Sequence, residues 1–301
     1  MKIAVTGAMS YSGKYITRRL LDGGAEVITL TGHPDRPDPF NGQVRPFPLD
    51  FEHPDLLASS LAGVDVLVNT YWIRFDRRIN TQQAAVENTR RLVAAAVRAG
   101  VRRVIHISIT NPSMDSGLPY FRGKARNEQI VMSSGMTWAV FRPTVLFGKE
   151  DILINNIAFL LRRFPFFFIP GNGGYRLQPV YVDDLAGMVD EAVHRTDSRV
   201  RDAVGPENFT FRELVRLIGR KIGCERPLVP VPPGLVLLAA RLLGLVFGDV
   251  VLTPHELEGL MLDLLVSAEP PLGQTRLSDW LEQHRQIVGS SYASELKRHY
   301  T

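Results

Sequence analysis

The stretch Lys2-Ile3-Ala4-Val5-Thr6-Gly7-Ala8-Met9-Ser10-Tyr11-Ser12-Gly13-Lys14-Tyr15-Ile16 decides how the rest of the chain is read. Lys2 to Thr6 is a short apolar run rich in β-formers, which predicts a buried strand. Gly7 follows it directly and suits a tight turn. From Ser12 onward, apolar residues recur at helical spacing. Gly13 falls in the first helical turn, where a missing side chain lets helix and strand approach. Strand, glycine turn and helix together offer unpaired N–H groups and a positive dipole to a pyrophosphate. The residues expected to line that site are Gly7, Met9, Ser10, Tyr11, Ser12 and Gly13. Ser10 departs from a three-glycine fingerprint, because it stands where the backbone comes closest to phosphate.

The same alternation continues outward. Strands are expected over 2–6, 26–31, 44–48, 64–69, 103–109 and 138–142. Helices are expected over 12–22, 55–61, 81–99 and 119–133. Strands alternating with helices predict an α/β fold, a doubly wound parallel sheet of Rossmann type. Residues 1–150 form the expected dinucleotide-binding domain, with a return to it near 176–195. Residues 151–301 form the expected smaller, mainly helical, substrate-binding cap on the strand tips. Thr210 and Glu213 spell a capping box. The proline-rich stretch 227–233 reads as an extended connector. Residues 235–247 read as a buried helix pair broken at Gly244, and another helix is expected over 254–265.

Composition excludes several classes. The 301 residues carry a net charge of +4 with no basic block, which gives no nucleic-acid footprint. The single cysteine, Cys224, rules out an internal disulfide and a thiolate zinc site, and fits a reducing compartment. His255-Glu256-Leu257-Glu258 lacks the second histidine of a zinc-protease helix, and no metal is expected. No apolar leader opens the sequence, and no run reaches the roughly 18 apolar residues of a membrane span. A cytoplasmic protein without a transmembrane segment is expected.

The tip of the second strand bears on the cofactor. An NAD site usually has an acid about 20 residues past the glycines. Thr31 and Gly32 stand there instead, with His33 and Arg36 able to meet a 2′-phosphate. NADP(H) is therefore favoured over NAD(H). Asp50 is a candidate acceptor for the adenine amino group. Downstream, Tyr120-Phe121-Arg122-Gly123-Lys124 puts a phenol and an ammonium four residues apart, on one helix face. Pro119 suits the first helical turn. Lys124 and the helix dipole both favour phenolate, which moves Tyr120 towards acid/base work. Ser108, at the end of the preceding strand, is placed to hold a substrate oxygen.

Taken together these residues resemble the short-chain dehydrogenase/reductase superfamily in its extended or atypical branch. The resemblance rests on the Gly7–Gly13 turn, Asp50, Asn69, Asn88, Ser108, Tyr120 and Lys124. It also rests on Phe141-Arg142-Pro143-Thr144-Val145-Leu146-Phe147-Gly148 and on Gln178-Pro179-Val180-Tyr181-Val182-Asp183-Asp184. The chain is similar to the NAD-dependent epimerase/dehydratase subgroup and to the dinucleotide-binding accessory subunit of respiratory complex I. The resemblance implies an NAD(P)-dependent oxidoreductase acting on a carbonyl or alcohol, alone or within an epimerase or dehydratase cycle. It implies Ser108, Tyr120 and Lys124 as the catalytic set, with Tyr120 as acid/base and Lys124 also on the nicotinamide ribose. It places Asn69, Pro143 and Val145 among the cofactor-binding residues, and Asp183 and Asp184 at the return crossing. A homodimer is a further family expectation. Ser108 and Tyr120 are only 12 residues apart, and aromatics crowd 159–168. Both features make an apolar or aromatic small molecule as fitting a substrate as a sugar nucleotide. The alternative is a non-catalytic NADP(H)-binding module with a structural or redox-sensing role.

Overall fold

The computed structural model describes residues 1–296. Its elements run β1 (Lys2–Thr6), α1 (Tyr11–Asp22), β2 (Glu26–Thr31), β3 (Arg45–Pro48), α2 (Pro54–Ser60), β4 (Val66–Asn69), α3 (Gln82–Arg98), β5 (Arg103–Ile107), α4 (Pro119–Met132) and β6 (Thr137–Pro143). They continue with β7 (Leu146–Phe147), α5 (Leu153–Arg163), β8 (Phe167–Pro170), β9 (Arg176–Leu177), β10 (Val180–Tyr181), α6 (Val182–Val193), β11 (Arg199–Ala203) and β12 (Phe209–Thr210). The chain closes with α7 (Phe211–Lys221), β13 (Leu228–Val231), α8 (Pro233–Phe247), α9 (Pro254–Met261) and α10 (Leu277–Gln283).

Two units share these elements. The first holds Met1–Pro143 and Val182–Ala203, and the second holds Thr144–Tyr181 and Val204–Thr301.

The first unit is a seven-stranded sheet in the order β11-β6-β5-β4-β1-β2-β3. Every pairing in it is parallel. Strand order reverses between β1 and β4, which is the switch point where such sheets bind ligands. Parallel strands are covered on both faces, so β1, β4 and β5 are buried almost throughout. Helix α1 buries Gly13, Ile16, Thr17 and Leu20, one stripe at three- and four-residue spacing. Helix α3 does the same with Ala85, Val86, Thr89, Leu92, Val93 and Ala96. Leu30, Leu57, Leu67, Leu92, Val104 and Val131 meet in one core beneath them. Helix α6 returns to pack on α1, where the Asp183 carboxylate accepts from Nε and Nη2 of Arg19 at 3.0 and 2.6 Å. The Asp183 expected at the return crossing thus performs that fastening.

The second unit is mainly helical, with three two-stranded pairings. Its core gathers Phe147, Ile154, Leu161, Leu177, Leu214, Ile218 and Trp280. The Thr210–Glu213 capping box forms as expected, and Thr253 with Glu256 forms another. The aromatic run divides. Phe159 and Phe167 enter the core, whereas Phe164, Phe166 and Phe168 stay exposed.

Two expectations are corrected here. The proline-rich 227–233 stretch is not only a connector, because Leu228–Val231 pairs in parallel with β8. A two-stranded ribbon is all edge, and Pro230 costs no interior ladder bond there. Residues 235–247 are not a broken, buried pair. They lie in the single helix α8, of which only Ala240 and Gly244 are buried. Gly244 sits near its end, where a Cβ would stand 2.6 Å from the carbonyl oxygen of Asp249. Helix α9 also stops at Met261, short of residue 265.

Candidate active site

The opening turn is built on its glycines. Gly7 has φ +67°, the left-handed region that glycine enters without a steric cost. Its N–H donates to Leu30 and its carbonyl accepts from Ser10, at 2.9 and 2.8 Å. A Cβ on Gly13 would lie 2.1 Å from the Gly7 carbonyl oxygen, so position 13 admits no side chain without opening the turn. Ser10 is the N-cap residue of α1 with φ −79°, a conformation open to any residue. Its Oγ lies 2.9 Å from where a Gly13 Cβ would be and 3.4 Å from that of Gly7. The hydroxyl therefore folds into the hollow between the two glycines. The first turn of α1 carries no acid to oppose an anion. Met9, Tyr11 and Ser12 are half-buried around it.

At the tip of β2 the Thr31 hydroxyl accepts from the His33 N–H at 2.9 Å. Burial and the nearby Arg36 charge both push the His33 imidazole below its ordinary range. His33 and Arg36 thus lie near each other beyond the strand end. Asp50 is already engaged. One oxygen accepts from the Glu52 N–H, the other meets His53 Nδ1 at 2.7 Å, and the His53 contact holds the carboxyl below its usual value.

Asn69 ends β4 with no exposed surface. Its Oδ1 accepts from Thr6 Oγ1 and from the Tyr71 N–H, which leaves Nδ2 to donate to His106 Nδ1 at 3.2 Å. Burial and the Lys124 charge push His106 down to about 3, so its ring is neutral. With Nδ1 accepting, the ring proton sits on Nε2. Asn69 therefore ties three strand ends together through its side chain. Asn88, on α3, donates to the Tyr71 hydroxyl at 2.9 Å, a supporting contact.

Ser108 follows β5. Its N–H donates to Phe141 at 2.7 Å, and two residues on the Thr110 N–H donates to Pro143 at 3.0 Å. The Ser108 side chain is buried, and its Oγ has no hydrogen-bond partner among the described residues. A buried hydroxyl without a partner is costly unless something else satisfies it. Pro143 ends β6 in this unit, while Val145 belongs to the second unit.

Tyr120 stands in the first turn of α4, half-buried, and Lys124 one turn later is buried. Lys124 Nζ donates to the Ile107 carbonyl at 2.9 Å, which ties it to the residue before Ser108. Burial pushes this lysine down to about 7, and Glu128 only partly opposes that. Glu128 is claimed by Arg142, which grips it with two nitrogens at 2.9 and 2.6 Å. The Arg142 of the Phe-Arg-Pro segment is thus a fastener between β6 and α4.

Sequence reasoning missed Trp72. Its ring meets Tyr120 edge-on at 5.8 Å between centroids, and the Lys124 ammonium lies 5.1 Å from its centre. A Cβ on Gly123 would come within 2.6 Å of this indole. Trp72 therefore braces the Tyr120–Lys124 face of α4. Gly123 was the available signal, since a glycine inside a helix costs up to about 1 kcal/mol relative to alanine and needs a reason.

Comparison with known proteins fits this geometry. Residues 7–156 match the NAD(P)H-binding family. The mitochondrial NADH dehydrogenase (ubiquinone) 1 alpha subcomplex subunit 9 of Arabidopsis thaliana is 26% identical over 225 residues, 71% of this chain. The chain spans 56% of that relative's length. Triphenylmethane reductase from Citrobacter sp. superposes with a TM-score of 0.79 at 16% identity, covering 95% of this chain and 100% of the other. The NADPH-dependent quinone oxidoreductase of Escherichia coli, solved with NADPH, gives 0.76 at 18% identity over 93% and 99%.

Proposed function

Because the chain belongs to the extended short-chain dehydrogenase/reductase-like proteins, we propose that it is an NAD(P)-dependent oxidoreductase acting on a carbonyl or alcohol. The observation that carries this reading is the tie from Lys124 to the Ile107 carbonyl. It brings the Tyr120 helix to the strand end that bears the partnerless Ser108 hydroxyl.

The residues present fit a dinucleotide. The Gly7–Gly13 turn is closed tightly on its two glycines, with no room for a side chain at position 13, and it leads into the N-terminus of α1, whose first turn carries no acid. Gly7, Met9, Ser10, Tyr11, Ser12 and Gly13 would hold the pyrophosphate end. Lys124 and Pro143 would hold the nicotinamide end, with Val145 assigned there by the family pattern. When bound, nicotinamide supplies or accepts a hydride. The chain's own part is proton movement and orientation. Ser108 Oγ donates to the substrate oxygen and fixes its position. Tyr120 Oη gives its proton to that oxygen during reduction, or takes it during oxidation. Lys124 binds ribose and, when charged, favours the phenolate.

Arg36 supports NADP(H) as the preferred form, since it is beyond the strand tip near His33, a further hydrogen-bonding side chain, and no acid stands at Thr31 or Gly32. Arg36→Ala is expected to weaken NADPH binding about ten-fold, the loss of one charge-assisted contact, and to leave NADH binding unchanged. Fluorescence titration with both nucleotides checks this, and equal effects on the two would remove Arg36 from the 2′-phosphate.

The solved likenesses include reductases of a dye and of quinones. They support an apolar or aromatic substrate, of which a quinone carbonyl is one kind, while nucleotide-sugar epimerases and a dehydratase with lower TM-scores support a nucleotide sugar. The test is oxidation of NADPH against a panel of quinones, aromatic aldehydes and nucleotide sugars. Turnover restricted to nucleotide sugars would overturn the substrate class. A second reading has support from the plant relative, which is named as a subunit of an NADH dehydrogenase. In that reading the chain holds NADP(H) as a structural or redox-sensing element. Tight NADPH that no member of the panel oxidises would favour it.

A further inference from the structure

Helix α8 is mounted the wrong way round for a helix that serves only its own core. Its buried residues are the small Ala240 and Gly244. Its large side chains face out, with Leu235 54%, Leu238 53%, Leu242 58%, Leu245 81% and Val246 76% exposed. At 100° per residue, these five fall within one arc of about a quarter turn, opposite Ala240 and Gly244. Gly244 is on the inward face, where a Cβ would stand 2.6 Å from the carbonyl oxygen of Asp249 in the turn that follows the helix. The apolar stripe does not end with the helix. Helix α8 packs beside β8, whose Phe168 pairs in register with Val229 of β13, and both are exposed. Phe166, also exposed, lies 5.0 Å from Phe168, ring to ring. Monomeric proteins seldom present so continuous an apolar surface without a use for it.

Charge selects the occupant. Helix α8 contains no acidic residue and its one charge is Arg241, while the nearest acids in the chain are Glu225, beside Arg226, and the buried Asp249. Arg241 is exposed and forms no ion pair among the described residues, whereas Arg226 donates to the Leu161 carbonyl. Arg241 sits on the edge of the stripe, one turn before Leu245. A second copy of the chain would bring another Arg241 to a helix that has no acid of its own to receive it. An anionic lipid surface accepts both features, since acyl chains take the leucines while an arginine at the edge reaches headgroups. At 15 residues, α8 is about 22 Å long, too short to cross a bilayer and suited to lying along one. No helix among the described residues is long and apolar enough to span a membrane.

We propose that α8, with the β8–β13 ribbon, is a docking surface for an anionic bilayer. The proposal is independent of the dinucleotide site. It is tested by co-sedimentation of the whole protein with vesicles of phosphatidylcholine alone and of phosphatidylcholine mixed with phosphatidylglycerol. Binding to the mixed vesicles is expected, weaker on phosphatidylcholine alone and falling as salt rises. The triple variant L238E/L242E/L245E should lose binding by about ten-fold or more, and Arg241→Glu by several-fold. An unchanged circular dichroism spectrum and cofactor affinity show that these variants are folded. The single variant Leu245→Glu, at the most exposed position, gives the same reading should the triple variant misfold. Failure of the intact protein to bind the mixed vesicles would overturn the proposal. So would light scattering that shows a dimer split by Leu245→Glu with no lipid association, which would assign the face to a second copy.

Discussion

Tyr120→Phe is expected to cut turnover by about 10²–10⁴-fold, the range that a general acid/base contributes. NADPH affinity should stay within about two-fold, because phenylalanine keeps the ring that Trp72 and Phe121 flank. Lys124 would keep its bond to the Ile107 carbonyl, and Ser108 its place after β5. The substitution thus removes one proton-carrying oxygen and little else. Rate at saturating NADPH checks it, using a substrate drawn from the carbonyl panel. Turnover equal to that of the unaltered protein would remove Tyr120 from the chemistry.

Gly13→Ala should have the other large effect, on binding and stability rather than on the chemical step. The added methyl would stand 2.1 Å from the Gly7 carbonyl oxygen and 2.9 Å from its carbon. Backbone on one side and the helix on the other leave it nowhere to go. The turn must open, and with it the alignment of the first-turn N–H groups. A fall in NADPH affinity of about 100-fold or more is expected, with about 1–3 kcal/mol of lost stability from overpacking. Nucleotide titration and thermal unfolding measure the two effects separately. Wild-type affinity in this variant would show that the turn is not the phosphate site.

Much of this was legible from the chain. The Gly7 turn could be read because a strand and a helix flank it, and each half of the pattern needs a glycine for a stated reason. Tyr120 and Lys124 could be read as sharing a helix face, since that follows from helical geometry alone. The doubly wound parallel sheet follows from alternating strands and helices with right-handed crossovers, although the seventh strand, β11, was not among those expected.

What stayed hidden depends on contacts between distant residues. Asn69 was expected at the cofactor, yet its side chain is spent on Thr6, Tyr71 and His106, the first of them 63 residues away. Trp72 lies in a loop with no periodicity to mark it, and only Gly123, on another element, hinted at its place. Ser10 could be read either as a donor to a phosphate oxygen or as weakening its binding, because sequence does not show which way a hydroxyl turns. It turns inward, between the glycines. Helix α8 is apolar except for Arg241, so a single residue was the only sign in its sequence of which face looks outward. Pro230 argued against a strand, but a ribbon with two edges tolerates it.

The central claim is that the Gly7–Gly13 turn is the phosphate end of a nicotinamide dinucleotide site. Fluorescence titration of the purified protein with NADPH and with NADH tests it most directly. The account predicts saturable binding with NADPH the tighter of the two. Saturation by neither nucleotide would contradict it.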